Sequence, residues 1–367
     1  MSGKRQYIQV RKVMAGKFHR YAGWTFSDYF KNFGTTLKDI VWGNLVGFIG
    51  FVGGIIQSFC RMLSKKNRPD VVFLKGGFVG LPVGIAARFL KIPYIVHESD
   101  AVPGLANRLL IKRATKVALS STARSIIPAS SHSAADKEAS KDGSDSKYVI
   151  TGVPVAPEFR KVTEARQRSL KKAFGFPEDK PLVVMTGGSQ GSQHMNEAMR
   201  EVLPEMLKFT SVGLVAGRAR YEEMVDLKKY EEWEQAKLQS NFRMWAFNSA
   251  MNELMGAADV VISRAGATTI AELAALGKAV ILVPFEKLPG GHQMKNAEYL
   301  KDLGAVEMVS DARMVQQPGI VLELAKKLIR SPKHREELAN KLHATYHPNA
   351  AKDLAKIVIE IGSGEIV

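Results

Sequence analysis

Short apolar runs and helically spaced apolar positions alternate along most of this chain. In the first part, residues 71–74, 94–97, 116–119 and 148–151 read as buried strands, with helical spacing through 86–90 and over 105–113 between them. The pattern resumes after residue 180, with strands at 181–185, 212–216, 242–246, 260–263, 280–283 and 306–309 and helices over 192–206 and 268–276. Regular strand–helix alternation predicts parallel sheets covered by helices on both faces, an α/β fold. The stretch GVPVAPEF at 152–159 reads as a linker. The expected organisation is a first domain over 1–151, a second over 152–345, and a tail over 346–367 whose helix, about 350–361, returns to the first domain. Residues 129–147, rich in Ser, Ala, Asp and Lys without periodicity, are expected to form a disordered surface loop.

Two glycine-rich turns interrupt the second part at strand-to-helix junctions. In GGSQGSQHMN, Gly187 and Gly188 allow close backbone approach before a helix whose N-terminal amides favour an anion, and Ser189 and Gln190 add polar side chains. A bare strand-to-helix turn explains these glycines equally well on its own. In SRAGATTIAELAALG, a tight corner at Gly266 precedes a helix carrying Glu272 in its second turn, where a carboxylate can accept from two ribose hydroxyls. Such turns lie beyond the carboxyl ends of the strands, where open α/β sheets bind ligands. The equivalent place in the first part holds LKGGFVGLPVG, with Gly76 and Gly77, and HESDAVPGLANR, with His97 and Glu98 at a strand end. For His97 a hydrogen-bonded role holding the loop competes with a catalytic one.

Charge adds an asymmetry. The net charge is +16, and residues 1–124 contain 20 Lys and Arg against five acids, a balance of +15. A basic face can meet an anionic membrane, an acidic substrate or nucleic acid; no zinc-finger, helix-turn-helix or RNP pattern supports the last, so no nucleic-acid partner is expected. Residues 40–60 carry no charge over 21 positions, long enough to span a bilayer. Their many glycines and the strand that follows favour a helix covering the sheet, with Trp42, Phe48 and Phe51 available to a lipid interface. Cys60 is the single cysteine, which excludes an intramolecular disulfide and a cysteine-built zinc site. The first ten residues lack the apolar segment of a secretory signal, so a cytoplasmic protein is expected. No metal and no cofactor are implied.

The motifs KGGFVGLPVGIAARFLKIPYIVHESDAVPGLANRLL, GGSQGSQHMN, MNELMGAADVVISRAGATTIAELAALGKAVILVPF and HQMKNA, in this order, resemble the MurG family of peptidoglycan glycosyltransferases (glycosyltransferase family 28) from about residue 68 to the C-terminus. The resemblance implies a GT-B fold of two Rossmann-like domains facing a cleft, at the cytoplasmic face of the membrane. It implies an inverting transfer of N-acetylglucosamine from UDP-N-acetylglucosamine to an undecaprenyl-pyrophosphoryl acceptor, lipid I, giving lipid II. By resemblance, Ser189 and Gln190 hold the donor diphosphate and the backbone at Asn248 meets uracil. Ala267, Thr268 and Thr269 contact phosphate and sugar, Glu272 the ribose, and Gln293 with Asn296 the sugar hydroxyls. Gly76, Gly77 and Asp100 belong to loops approaching the acceptor.

Four departures stand out. The family's N-terminal GGTGGH-like loop, with its proposed histidine base, has no counterpart, so the first domain is expected to be incomplete, through truncation or with a partner chain supplying the segment. Glu98 or His97 is then the candidate catalytic base. Ala156 stands where the family carries arginine, Asp100 where it carries asparagine, and Gly291 where it carries an acid. The alternatives are another UDP-sugar transferase with a lipid acceptor, or a non-catalytic, membrane-associated UDP-sugar binder.

Overall fold

The computed structural model describes residues 9–16, 42–128, 146–188, 190–224, 239–287 and 290–364. Ser189 and residues 129–145 lie outside that set, so the expectations placed on them do too.

The first half holds α1 (Gly43–Leu63), β1 (Val72–Leu74), α2 (Gly77–Phe89), β2 (Tyr94–Glu98), α3 (Leu105–Ile111), β3 (Lys116–Leu119) and β4 (Tyr148–Ile150). Its strands form a parallel sheet in the order β1-β2-β3-β4. The second half holds α4 (Glu164–Ala173), β5 (Leu182–Thr186), α5 (Gln193–Leu207), β6 (Ser211–Val215), β7 (Phe242–Trp245), α6 (Met251–Ala257), β8 (Val260–Ser263), α7 (Ala267–Leu276), β9 (Ala279–Leu282), α8 (His292–Asp302) and β10 (Glu307–Met308). Helices α9 (Asp311–Gln316), α10 (Gly319–Arg330), α11 (Pro332–His343) and α12 (Ala350–Ser363) complete it. The second sheet, again parallel, runs β10-β9-β8-β5-β6-β7.

Alternation along β5 shows why this sheet is covered twice. Val183 and Met185 join the cluster under α5 and α10, while Leu182 and Val184 join the one under α6 and α7, and all four are fully buried. In the first half, Gly84 lets α2 come close to the sheet: a methyl group there would lie 2.7 Å from Leu110 and 2.8 Å from Leu74. The helix α1 uses its glycines in the same way. A Cβ at Gly54 would sit 2.0 Å from the carbonyl oxygen of Met14, and residues 14–16 run along this groove, with the Met14 amide donating to Gln57 Oε1 at 2.9 Å. The opposite face of α1 leaves Trp42, Leu45, Val46, Phe48, Ile49 and Ile56 exposed. By length and composition α1 could cross a membrane. Its glycine face is nevertheless occupied by protein, and it packs on α2 through Gly54 and Pro82.

Helix α12 reaches back from the second half, placing Gly362 against Val71. The halves also meet through the 292–296 segment and His347: Gly152 in the linker lies against the His347 ring, whose Nε2 pairs with Ser121 Oγ at 2.9 Å.

Candidate active site

Three loops of the second half converge on one cavity. After β5 the chain turns through Gly188 and Gly191, whose φ values of 84° and 74° are left-handed and suit glycine. A Cβ on Gly191 would lie 2.1 Å from the carbonyl oxygen of Ala216, whereas one on Gly188 would meet nothing within 4 Å. Gly191 therefore joins two loops of the protein, and Gly188 leaves backbone open to a ligand. Gly191→Ala is expected to combine backbone strain with this clash and to lower stability by about 2–4 kcal/mol, read as the loss of melting temperature. An unchanged melting temperature would mean that the loop has another arrangement.

The loop after β7 contributes Phe247 and Asn248, and α7 contributes Thr269 and Glu272. Together with Gly188 these residues line a cavity of about 170 Å³. That is below the roughly 300–1,000 Å³ of pockets that swallow a whole small molecule, so it fits one portion of a larger ligand whose remainder lies over the glycine loop. Glu272 has no hydrogen-bond partner among the described residues, and burial pushes its carboxyl above the ordinary range. A half-buried carboxylate unpartnered among the described residues calls for donors that those residues do not supply. Asn248 turns its Oδ1 onto the amide of Ala250 at 2.8 Å, which fixes the local backbone. The first turn of α7 has no side-chain cap on its amides at Gly266, Ala267 and Thr268, leaving a polar, dipole-positive mouth beside Glu272.

Sequence reasoning missed the group that ties these loops together. Arg264, at the end of β8, contacts Asp311 at 2.6 Å, the Val283 carbonyl at 3.1 Å, and Ser192 Oγ, the residue capping α5. His194 Nδ1 meets the other oxygen of Asp311 at 2.5 Å. Asp311 is 4% exposed at its side chain, so the glycine loop, the β8 loop and the start of α9 share one buried ionic junction. The signal available was an arginine inside an otherwise apolar strand end, but nothing in the order of residues named its partners.

The other predicted residues separate by role. Gln190 is exposed on the glycine loop, Thr268 is exposed, and Ala267 and Thr269 are half-buried at the start of α7. Gln293 accepts from the Phe285 amide at 3.0 Å, and its Nε2 has no partner among the described residues. Asn296 differs from the expectation. It is fully buried, its Nδ2 donates to Asp100 Oδ1 at 2.8 Å and to the Ala265 carbonyl at 3.1 Å, and its Oδ1 accepts from the Ala101 amide at 2.7 Å. With both N–H groups engaged, it clamps the Asp100 loop to the β8 loop and has none left for a sugar hydroxyl.

His97 and Glu98 also differ from the expectation of side chains reaching the cleft. His97 is 1% exposed, stacks on Phe73 and donates from Nε2 to the Gly152 carbonyl at 2.9 Å; burial pushes its imidazole down. Glu98 is 4% exposed, with Oε1 accepting from the Asp100 amide at 3.0 Å and Oε2 from Asn107 Nδ2 at 2.8 Å and the Gly104 amide at 3.3 Å. Burial pushes this carboxyl up, against those hydrogen bonds. The pair holds the 98–104 loop and the linker because the last positions of β2 are covered by neighbouring chain, which strand-end position alone does not reveal. Gly76 and Gly77, at φ 87° and 80°, carry the β1-to-α2 turn past Asn107, so the two first-half loops meet at Glu98.

Comparison with known proteins places this geometry. The model of the glycosyltransferase family 28 N-terminal domain matches residues 10–119, and that of the C-terminal domain matches 182–357. The match thus begins well before residue 68, where the motif resemblance starts. A relative from Caldicellulosiruptor saccharolyticus, the UDP-N-acetylglucosamine--N-acetylmuramyl-(pentapeptide) pyrophosphoryl-undecaprenol N-acetylglucosamine transferase, is 32% identical over 86% of this chain and 79% of its own. The protein of the same name from Clostridium kluyveri is 32% identical over 97% of this chain and 87% of its own. The crystal structure of MurG from Acinetobacter baumannii matches with a TM-score of 0.63 at 24% identity, covering 86% of this chain and 79% of that one, and shares the GT-B fold. Two parallel sheets, a cavity bounded by both glycine-rich turns, and matches across both halves lead to one conclusion: the chain belongs to glycosyltransferase family 28.

Proposed function

We propose that this chain transfers N-acetylglucosamine from UDP-N-acetylglucosamine to an undecaprenyl-pyrophosphoryl-N-acetylmuramyl pentapeptide, the reaction for which its relatives are named. The observation that carries this reading is the cavity joining Gly188, Asn248, Thr269 and Glu272. Uracil and ribose enter it, with the ribose hydroxyls donating to Glu272, and the diphosphate rests on the glycine loop and the open amides of α7. Gln293 Nε2 faces the sugar end. In the reaction the acceptor C4 hydroxyl oxygen bonds to the sugar C1 as the bond from C1 to the UDP oxygen breaks, with inversion, and the hydroxyl proton leaves to solvent. Donors aimed at the departing diphosphate stabilise the charge that builds there. Glu98 acts as the organiser of the acceptor-side loop. The test is transfer of labelled sugar to a soluble lipid I analogue, together with calorimetric binding of UDP.

A second reading, a UDP-sugar binder without transfer, is favoured by one observation: both candidate bases are buried, Glu98 with both oxygens hydrogen-bonded inside the protein and His97 with Nε2 spent on the Gly152 carbonyl and Nδ1 buried without a partner among the described residues. UDP binding with no transfer to the analogue decides for it.

The exposed apolar face of α1, beside the basic first half, supports peripheral association with an anionic membrane at its cytoplasmic face. Replacing Phe48 and Ile49 together by serine is expected to reduce binding to phosphatidylglycerol vesicles about tenfold or more, from the apolar area removed. Equal co-sedimentation of variant and parent would assign the membrane contact elsewhere.

A further inference from the structure

A large open volume lies at the end of the first sheet opposite the donor cleft. It is a trough of about 930 Å³ bordered by Asp70, Pro93, Tyr94 and Thr115, at the amino ends of β1, β2 and β3, and by the C-terminal end of α12. Glu98 stands at the carboxyl end of β2, so the length of the strand separates the trough from the acceptor-side loop. Lys65, Arg68, Arg88, Lys91 and Arg113 line the trough, against the carboxylate of Asp70 alone among the described residues. None of these cations is ion-paired among the described residues; Arg68 donates to the Leu90 carbonyl at 2.8 Å. A second cavity, of about 730 Å³, adjoins across Arg68 and Pro69 and adds Arg11, Arg61 and Lys66.

Part of this charge has a structural reason. Helices of an α/β fold end at the amino ends of the strands, and cations such as Arg61 and Arg88 complement those helix C-termini. That reason does not extend to Lys91. It is the only non-glycine residue with positive φ among those described, at 54°, in the turn closing α2 where Lys91 N donates to the Arg88 carbonyl and Ile92 N to that of Ala87. Glycine is the residue that this position favours. A lysine held there in a left-handed backbone projects its ammonium from the trough wall at a conformational cost. Tyr94 borders the trough, and its buried phenol, which donates to the Leu110 carbonyl at 3.0 Å, is pushed up by burial and drawn down by both Arg88 and Arg113. Exposed Leu63 and Phe89 flank Lys65 and Arg88.

We propose that this trough is a discrete site for a phosphate-bearing anion, separate from the donor cleft and independent of the transferase reading. Unpaired guanidinium and ammonium groups converging in a concavity suit phosphate oxygens, Arg through paired N–H donors and Lys as a point charge. The phosphate can be that of a free soluble anion or that of a lipid headgroup, whose chains would lie along Leu63 and Phe89.

The test keeps the donor cleft saturated with UDP and titrates inorganic pyrophosphate by calorimetry. A parallel arm measures flotation with phosphatidylcholine vesicles doped with phosphatidic acid. Saturable pyrophosphate binding at one per chain, weakened about tenfold in R88Q/R113Q, supports the site with a free anion. Absent pyrophosphate binding, but flotation lost in R88Q/R113Q and kept in R108Q, which removes a cation outside the trough, supports it with a lipid headgroup. Lys91→Gly separates folding from binding: it should weaken whichever ligand binds by about threefold while leaving the melting temperature equal or higher. Three results would overturn the proposal: no binding in either arm, affinities that the trough variants leave unchanged, or binding of oligonucleotides that strengthens with their length and displaces pyrophosphate.

Discussion

Replacing Glu272 by alanine is expected to weaken UDP binding by about 1–3 kcal/mol, roughly tenfold to a hundredfold, because a charged acceptor for ribose hydroxyls is removed. This carboxylate lines one cavity with Gly188 and Asn248, and no group among the described residues satisfies it. Glu272→Gln, which keeps the shape and loses the charge, should fall between parent and alanine variant. The pH dependence follows from the raised carboxyl. Without ligand, burial favours the protonated form, so the ionised group lowers folded-state stability as pH rises through its folded value. Ribose hydroxyls that donate to the ionised form favour it, and UDP binding should therefore release a proton. UDP affinity is expected to fall as pH drops through the elevated value of Glu272, and to do so less in Glu272→Gln. Calorimetry in two buffers of different ionisation enthalpy measures the released proton directly. Parent and glutamine variant with the same affinity at every pH would remove Glu272 from the site.

Replacing Asp311 by alanine should cost about 3–5 kcal/mol of stability, since it leaves the Arg264 guanidinium, 13% exposed, without its counter-charge. The loss should appear as a lower denaturant midpoint with an unchanged slope. The same change should weaken UDP binding although Asp311 lines no part of the donor cavity, because Arg264 carries the restraint from Asp311 to Ser192 and so to the glycine loop. Arg264→Met with Asp311→Leu separates the two effects. Removing both charges should recover much of the stability, as buried ion pairs commonly exchange for apolar residues at little cost, while UDP affinity stays low. Recovery of affinity along with stability would show the junction to be structural and nothing more.

Much of the fold could be read from the order of residues, because a parallel strand buried on both faces is an apolar run between turn signals. The expected 71–74, 94–97 and 116–119 correspond to β1, β2 and β3, and 260–263 to β8. The helix expected through 86–90 is longer than that spacing indicated, beginning at Gly77 and containing Pro82. Local propensity opposes a helix over GFVGLPVG. Close packing of Gly84 against Leu74 and Leu110 overrides it, and that contact belongs to residues distant in the chain. The last strand shrinks to Glu307–Met308 at the sheet edge, where only β9 pairs with it.

For the site, the order of residues alone determined the two glycine turns, the helix that carries Glu272, and the placement of both at the carboxyl ends of strands, since each follows from spacing within one short segment. Tertiary structure alone decided whether those turns share a cavity, that Asn296 is spent on Asp100, Ala101 and Ala265, and that His97 and Glu98 are buried and hydrogen-bonded to Gly152, Asp100 and Asn107. It also decided that Arg264, Asp311, His194 and Ser192 form one junction. The physical reason is the range of the forces. Turn conformation and helix polarity are set by neighbours a few residues away, whereas the exposure of a titratable group and its hydrogen-bond partners depend on which distant segment covers it.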